Sequence, residues 1–130
     1  MLCVGVDLVA IPRFRQALLR HGDRLRARIF TPRELQLCLD RVPELAARFA
    51  AKEAVSKALG VGILAPDGIG WRDVEVLSDR RGRPVVYLYG QAQARAAELG
   101  LVEWAISLSH EHDLVVALVV ASGPGPVANC

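Results

Sequence analysis

The chain has 130 residues, of which 52% are hydrophobic and 23% charged. That length supports one hydrophobic core, and the composition excludes a disordered or fibrous chain. Sixteen basic against 14 acidic groups leave a net charge of +2, too mild to imply a nucleic-acid partner. Beneath this average, residues 1–65 carry 11 basic and 6 acidic groups, and residues 66–130 carry 5 and 8. Only two of the basic residues are lysines, Lys52 and Lys57, and they share one short segment. Cys3, Cys38 and Cys130 are odd in number, widely spaced and without a CxxC pair. This argues against a disulfide framework or zinc site, and for reduced thiols in a cytoplasmic protein. The first ten residues lack the basic start of a signal peptide, and no apolar run is long enough to cross a membrane.

In chain order, residues 2–10 read as a buried strand interrupted by Asp7. Pro12 suits a first helical turn. From Ile11 to Ile29 the apolar residues Ile11, Phe14, Leu18, Leu25 and Ile29 share one helical face, while Arg13, Arg20 and Arg24 share another. Gly22-Asp23 is a possible break in this segment. Thr31-Pro32-Arg33-Glu34 has the pattern of a capping box and opens a short helix to about Asp40. Glu44–Leu59, rich in Ala, Leu, Glu and Arg, is the strongest helix, with Gly60 as its C-cap. Residues 61–70 form a Gly/Pro-dense loop.

The second half turns mainly to strand. Residues 72–78 alternate, Val74 and Val76 against Asp73 and Glu75, and residues 79–83 turn the chain back into Pro84–Tyr89. Gln91–Leu99 is a short helix, and Glu103–Ser109 and Leu114–Ala121 are two more strands. Helices first and strands later predict an α+β fold, a largely antiparallel sheet packed against a long helix. Residues 1–121 are expected to form one domain, with 122–130 as a flexible Gly/Pro-rich tail.

Three places carry potential chemistry. Asp7 is a carboxylate in an apolar strand, which calls for a partner, a cap or a metal ion. Glu53 stands one helical turn before Lys57, and Lys52 one turn before Ser56. Such pairs often decorate a solvated helix, but the Ala-rich flanks let another segment or a ligand approach, and lysine suits phosphate. His110 ends a strand, where it serves a turn, a phosphate or a proton. No GxSxG, HExxH, P-loop or GxGxxG pattern is present.

Val4-Gly5-Val6-Asp7-Leu8-Val9 with Ile11 and Arg13, then Arg48–Gly60 with its Phe-Ala-Ala-Lys-Glu-Ala run, then Ile106-Ser107-Leu108-Ser109-His110, resemble in order the three motifs of the holo-[acyl-carrier-protein] synthases. These are small 4′-phosphopantetheinyl transferases, and the similarity covers roughly residues 2–121. The resemblance implies Mg²⁺-dependent transfer of 4′-phosphopantetheine from coenzyme A to a carrier-protein serine, releasing 3′,5′-ADP. It implies Asp7 and Glu53 as metal ligands and, with Lys57, as the catalytic set. Lys52, Lys57, Ser56 and His110 would contact coenzyme A. Arg13, extended by Arg20 and Arg24, would dock an acidic acyl carrier protein. It further implies a homotrimer with sites between protomers, and a place in fatty acid biosynthesis. Val61 departs from the pattern where some relatives place a hydroxyl. The alternatives are a Mg²⁺-dependent nucleotide phosphohydrolase, and a nucleic-acid-binding module built on the Arg-rich first helix.

Overall fold

The computed structural model describes residues 1–126. Leu2–Ala10 forms β1, and Ile11–Ile29 forms α1 with Pro12 in its first turn. Helix α2 spans Pro32–Cys38 and α3 spans Val42–Leu59. A single 3-10 turn at Trp71–Asp73 leads into the hairpin β2 (Val74–Ser78) and β3 (Pro84–Leu88). Helix α4 (Gly90–Glu98) precedes β4 (Glu103–Glu111) and β5 (Leu114–Ser122). Strands β1, β5 and β4 form one antiparallel sheet in that order, and β2 pairs with β3. The fold is α+β, with α3 laid across one face of the sheet.

Small side chains set how closely α3 packs. Ala46, Ala50, Ala51 and Ala54 are fully buried against a sheet face that includes Ala117 and Ala121. Gly5 is the extreme case. A Cβ there would lie 1.8 Å from the carbonyl oxygen of Ala54, so only glycine admits the helix at this separation. An aromatic row, Phe14 to Phe49 to Trp71, closes the side of α3 facing α1, with ring centroids 5.2 and 5.1 Å apart.

A buried polar cluster joins α2, α3 and β2. The predicted capping box forms: Thr31 Oγ1 accepts from the Glu34 amide, and Glu34 Oε1 accepts from the Thr31 amide at 2.9 Å. The same Glu34 accepts from the Val76 amide at 2.8 Å and from Lys52 Nζ at 2.8 Å. Lys52 Nζ also donates to the carbonyls of Trp71 and Val74. All three ammonium protons are thereby satisfied with the side chain wholly buried. Burial pulls the Lys52 ammonium below its ordinary value, and Glu34 opposes that shift. Glu75 accepts from Thr31 Oγ1 at 2.6 Å and from the Tyr89 hydroxyl at 3.0 Å.

Four expectations change. The alternation over 72–78 is not a buried and an exposed face, because the strand begins at Val74 and Glu75 is buried among its own donors. Helix α1 kinks at Gly22, where φ is 58°. The helical phase that aligned Arg24 with Arg13 and Arg20 therefore stops there. Strand β1 is not buried on both sides, and its partner β5 shares the open face. Cys3, Gly5, Asp7 and Val9 turn toward α3, while Leu2, Val4, Val6, Leu8, Leu114, Val116 and Leu118 are exposed. The last strand also runs one residue past 121: Ser122 closes β5, the Gly123 amide donates to the Met1 carbonyl, and the Gly125 amide donates to the Gly100 carbonyl. The rest of the expected tail, residues 127–130 with Cys130, lies outside the described residues.

Two consequences are measurable by urea unfolding. Lys52→Met strands the Glu34 carboxylate in the core and should cost about 3–5 kcal/mol. Adding Glu34→Gln should recover at least half of that loss. No recovery would mean that side-chain packing, not charge, fixes this corner. Gly5→Ala should cost about 1–3 kcal/mol through overpacking against α3. A wild-type midpoint would show that α3 can retreat freely.

Candidate active site

The inner parity of β1 and the close approach of α3 bring the first two motifs together. Asp7 lies two residues beyond Gly5 on the same strand face, and Glu53 and Lys57 lie one turn apart on the helix that Gly5 admits. Lys57 Nζ donates to Asp7 Oδ1 at 3.0 Å and to the carbonyl of Val6 at 3.0 Å. The Asp7 side chain is 18% exposed and that of Lys57 is 54% exposed. Asp7 and Glu53 line one open cavity of about 350 Å³, whose wall includes Arg13, Phe14 and Phe49. Burial pushes the Glu53 carboxyl above the usual carboxylate range, the Asp7 charge adds to the rise, and Lys57 opposes it.

Two carboxylates thus face one partly desolvated corner, with Asp7 paired to Lys57 and with the Arg13 side chain on the cavity wall. No group of three or more His, Cys, Asp or Glu side chains with metal-site geometry occurs among the described residues. A pair of carboxylates facing a cavity fits Mg²⁺, which takes one or two protein carboxylates and fills its other positions with water and substrate phosphate oxygens. It does not fit a metal that needs an all-protein cage.

The other predicted residues divide. Arg13 faces the cavity, on the helix that forms its wall. Arg20 and Arg24 are exposed on α1, on opposite sides of the kink. Lys52 and Ser56 are corrected as contacts to coenzyme A. The Lys52 ammonium is enclosed in the polar cluster, and the Ser56 hydroxyl donates to the Glu53 carbonyl at 2.7 Å in a residue only 3% exposed. Neither group is free to meet a phosphate.

His110 does not join Asp7 and Glu53 within the chain. It borders a separate polar cavity of about 370 Å³ with Arg48, Ser78, Gly82 and Pro84. Arg48 begins the second motif in sequence, yet its motif neighbours gave no sign of this second location. It is buried, donating to Glu44 at 2.7 Å and to Ser78 Oγ at 2.9 Å. Gly5 is the other residue that sequence reasoning undervalued. Its signal was a glycine inside an apolar strand, which marks close approach of another backbone.

The family model of the 4′-phosphopantetheinyl transferase superfamily matches residues 3–119. The holo-[acyl-carrier-protein] synthase of Herpetosiphon aurantiacus is 48% identical over 130 residues, covering 95% of this chain and 100% of the relative. That of Dehalococcoides mccartyi is 49% identical over 121 residues, covering 93% and 98%. Among solved structures, the Chronobacterium ammoniagenes ACPS-CoA complex superposes with a TM-score of 0.83 at 36% identity, covering 95% of this chain and 98% of that one. Helicobacter pylori holo-[acyl-carrier-protein] synthase in complex with coenzyme A gives 0.82 at 29% identity, covering 92% and 99%. With the family model matching residues 3–119 and such identity over nearly the whole of both chains, the chain belongs to the 4′-phosphopantetheinyl transferase superfamily, among the holo-[acyl-carrier-protein] synthases.

Proposed function

We propose that the chain transfers 4′-phosphopantetheine from coenzyme A to a serine of an apo acyl carrier protein, releasing 3′,5′-ADP. The observation that carries this reading is the meeting of Asp7, Glu53 and Lys57 at one open corner beside α1. Asp7 and Glu53 would hold Mg²⁺. Held there, it would supply charge neutralisation and Lewis-acid polarisation at the pyrophosphate of coenzyme A. Lys57, mobile and half exposed, stabilises charge that develops on the leaving nucleotide. The nucleophilic serine belongs to the carrier, so the chain needs no activated serine of its own. Arg13 stands at the cavity rim on α1, where its guanidinium positions an acidic carrier surface. Arg20 and Arg24 extend the positive field of α1 as separate charges rather than as one stripe.

The working form we propose is a homotrimer. One face of β1 and β5 leaves a run of aliphatic side chains in solvent, with Val6 at 52% and Leu8 at 58% exposure. A contiguous apolar face of this kind marks an interface. Covering it with other copies would also bring His110 of one protomer toward the carboxylates of the next. Leu8 borders both the Asp7/Glu53 cavity and a cavity lined by His110. His110, with Arg48 and Ser78 nearby, would then meet the nucleotide end of coenzyme A. We place the reaction in the cytoplasm and in fatty acid biosynthesis, where Cys3 and Cys38 stay free thiols.

The deciding assay incubates the chain with coenzyme A, Mg²⁺ and an apo acyl carrier protein, and weighs the carrier by mass spectrometry. The carrier should gain one phosphopantetheine group, and EDTA should abolish the gain. Asp7→Asn and Glu53→Gln should each lower turnover roughly 100-fold or more, the scale of losing one preorganised charge. Nucleotide release with no carrier present would favour a phosphohydrolase, and an unchanged carrier mass would refute the transfer. The oligomer has its own measurement. Light scattering should give a trimer for the wild type, and Leu118→Glu, placing a charge on the apolar face, should give smaller species. A monomeric wild type would remove the trimer.

A further inference from the structure

The ammonium of Lys57 sits where the carboxylates most need positive charge. Asp7 and Glu53 face one cavity, and among the described residues the ion pair that relieves their mutual repulsion is with Lys57, at 3.0 Å from Asp7 Oδ1. The other lysine is locked in the core. Among the described residues, Arg13, which borders the same cavity, has no carboxylate within ion-pair distance. Lys57 also donates to the Val6 carbonyl at 3.0 Å, so two acceptors on β1 hold it in this position.

We propose that Lys57 is the resident counter-ion of the cation site, holding Asp7 until a divalent ion replaces it and then turning to the substrate phosphates. The inference rests on the assignment of Asp7 and Glu53 as metal ligands. It adds that the lysine and the metal compete for Asp7. The physical basis is charge balance. Two neighbouring carboxylates with no cation repel each other in a partly desolvated corner, and with both an ammonium and a divalent ion on Asp7 the two cations repel instead. Lysine suits this exchange because its charge rides on a flexible four-carbon stem and half of the side chain already lies in solvent. The same displacement delivers the ammonium to the cavity mouth at the moment the phosphates of coenzyme A bring negative charge there.

The test is Mn²⁺ binding to the purified chain without substrate, read by electron paramagnetic resonance of free Mn²⁺. Lys57→Met should bind Mn²⁺ about fivefold or more tighter than wild type, the size of removing one partly solvated competing charge. Lys57→Arg, which keeps the charge, should stay near wild type. Without metal, Lys57→Met should also melt at a lower temperature than wild type, and added Mn²⁺ should raise its melting temperature more. Equal or weaker Mn²⁺ binding by Lys57→Met, with wild-type binding that Asp7→Asn removes, overturns the counter-ion and leaves the metal site standing. Wild-type binding that is absent, or unaffected by Asp7→Asn, overturns the metal assignment and the counter-ion together.

Discussion

The buried pair of Lys52 and Glu34 fixes how α3 is turned about its own axis. Lys52 points at Glu34, Trp71 and Val74, whose acceptors meet its three protons. In an α-helix each residue advances about 100°. With Lys52 committed to α2 and β2, Glu53 and Lys57 necessarily turn away from it, toward β1. A charge enclosed in the core thus decides which charges reach the cavity beside β1. Glu34 serves twice, as half of a capping box and as the acceptor that receives Lys52. The start of a seven-residue helix and the rotation of an 18-residue one are set by a single carboxylate.

Close approach completes what rotation begins. The alanines of α3 and Gly5 of β1 let helix and strand backbones nearly touch. Short reach matters at this corner, because a carboxylate on a strand and a carboxylate on a helix face one cavity only if both backbones are near. Residues that bear no chemistry, Gly5 and Ala54, therefore set the span of the site as firmly as the residues that do.

Much of this was legible in the chain. The capping box at Thr31, the left-handed cap at Gly60 and the hairpin after Ser78 depend on local chemistry and formed as expected. Asp7 in an apolar strand and Glu53 before Lys57 were visible as anomalies of charge and spacing. The two lysines could not be told apart by composition, because their difference is tertiary: one meets Glu34, from eighteen residues earlier, and the other meets Asp7, from fifty residues earlier. The Arg24 alignment failed because helical phase extends only as far as helical dihedrals do, and Gly22 leaves them. Strands β1 and β5 are apolar at nearly every position, so alternation carried no signal of which side faces solvent. His110 escaped placement because its partners within the chain differ from those that the motif order suggests.

Strand β1 is at once the carrier of Asp7 and the edge of its sheet. An exposed edge with aliphatic side chains is the kind of surface on which newly made chains aggregate. Here the strand is bent to two incompatible solvents, water-loving chemistry on one face and bare aliphatics on the other. A slip of one residue would exchange Asp7 with Val6 or Leu8 and spoil both faces together. Lys57, resting on the Val6 carbonyl, lays a charge across that edge. The solubility of the isolated chain and the integrity of the Asp7 corner are therefore tied to one strand's register, and errors in folding would be expected to appear as precipitation rather than as soluble, misfolded protein.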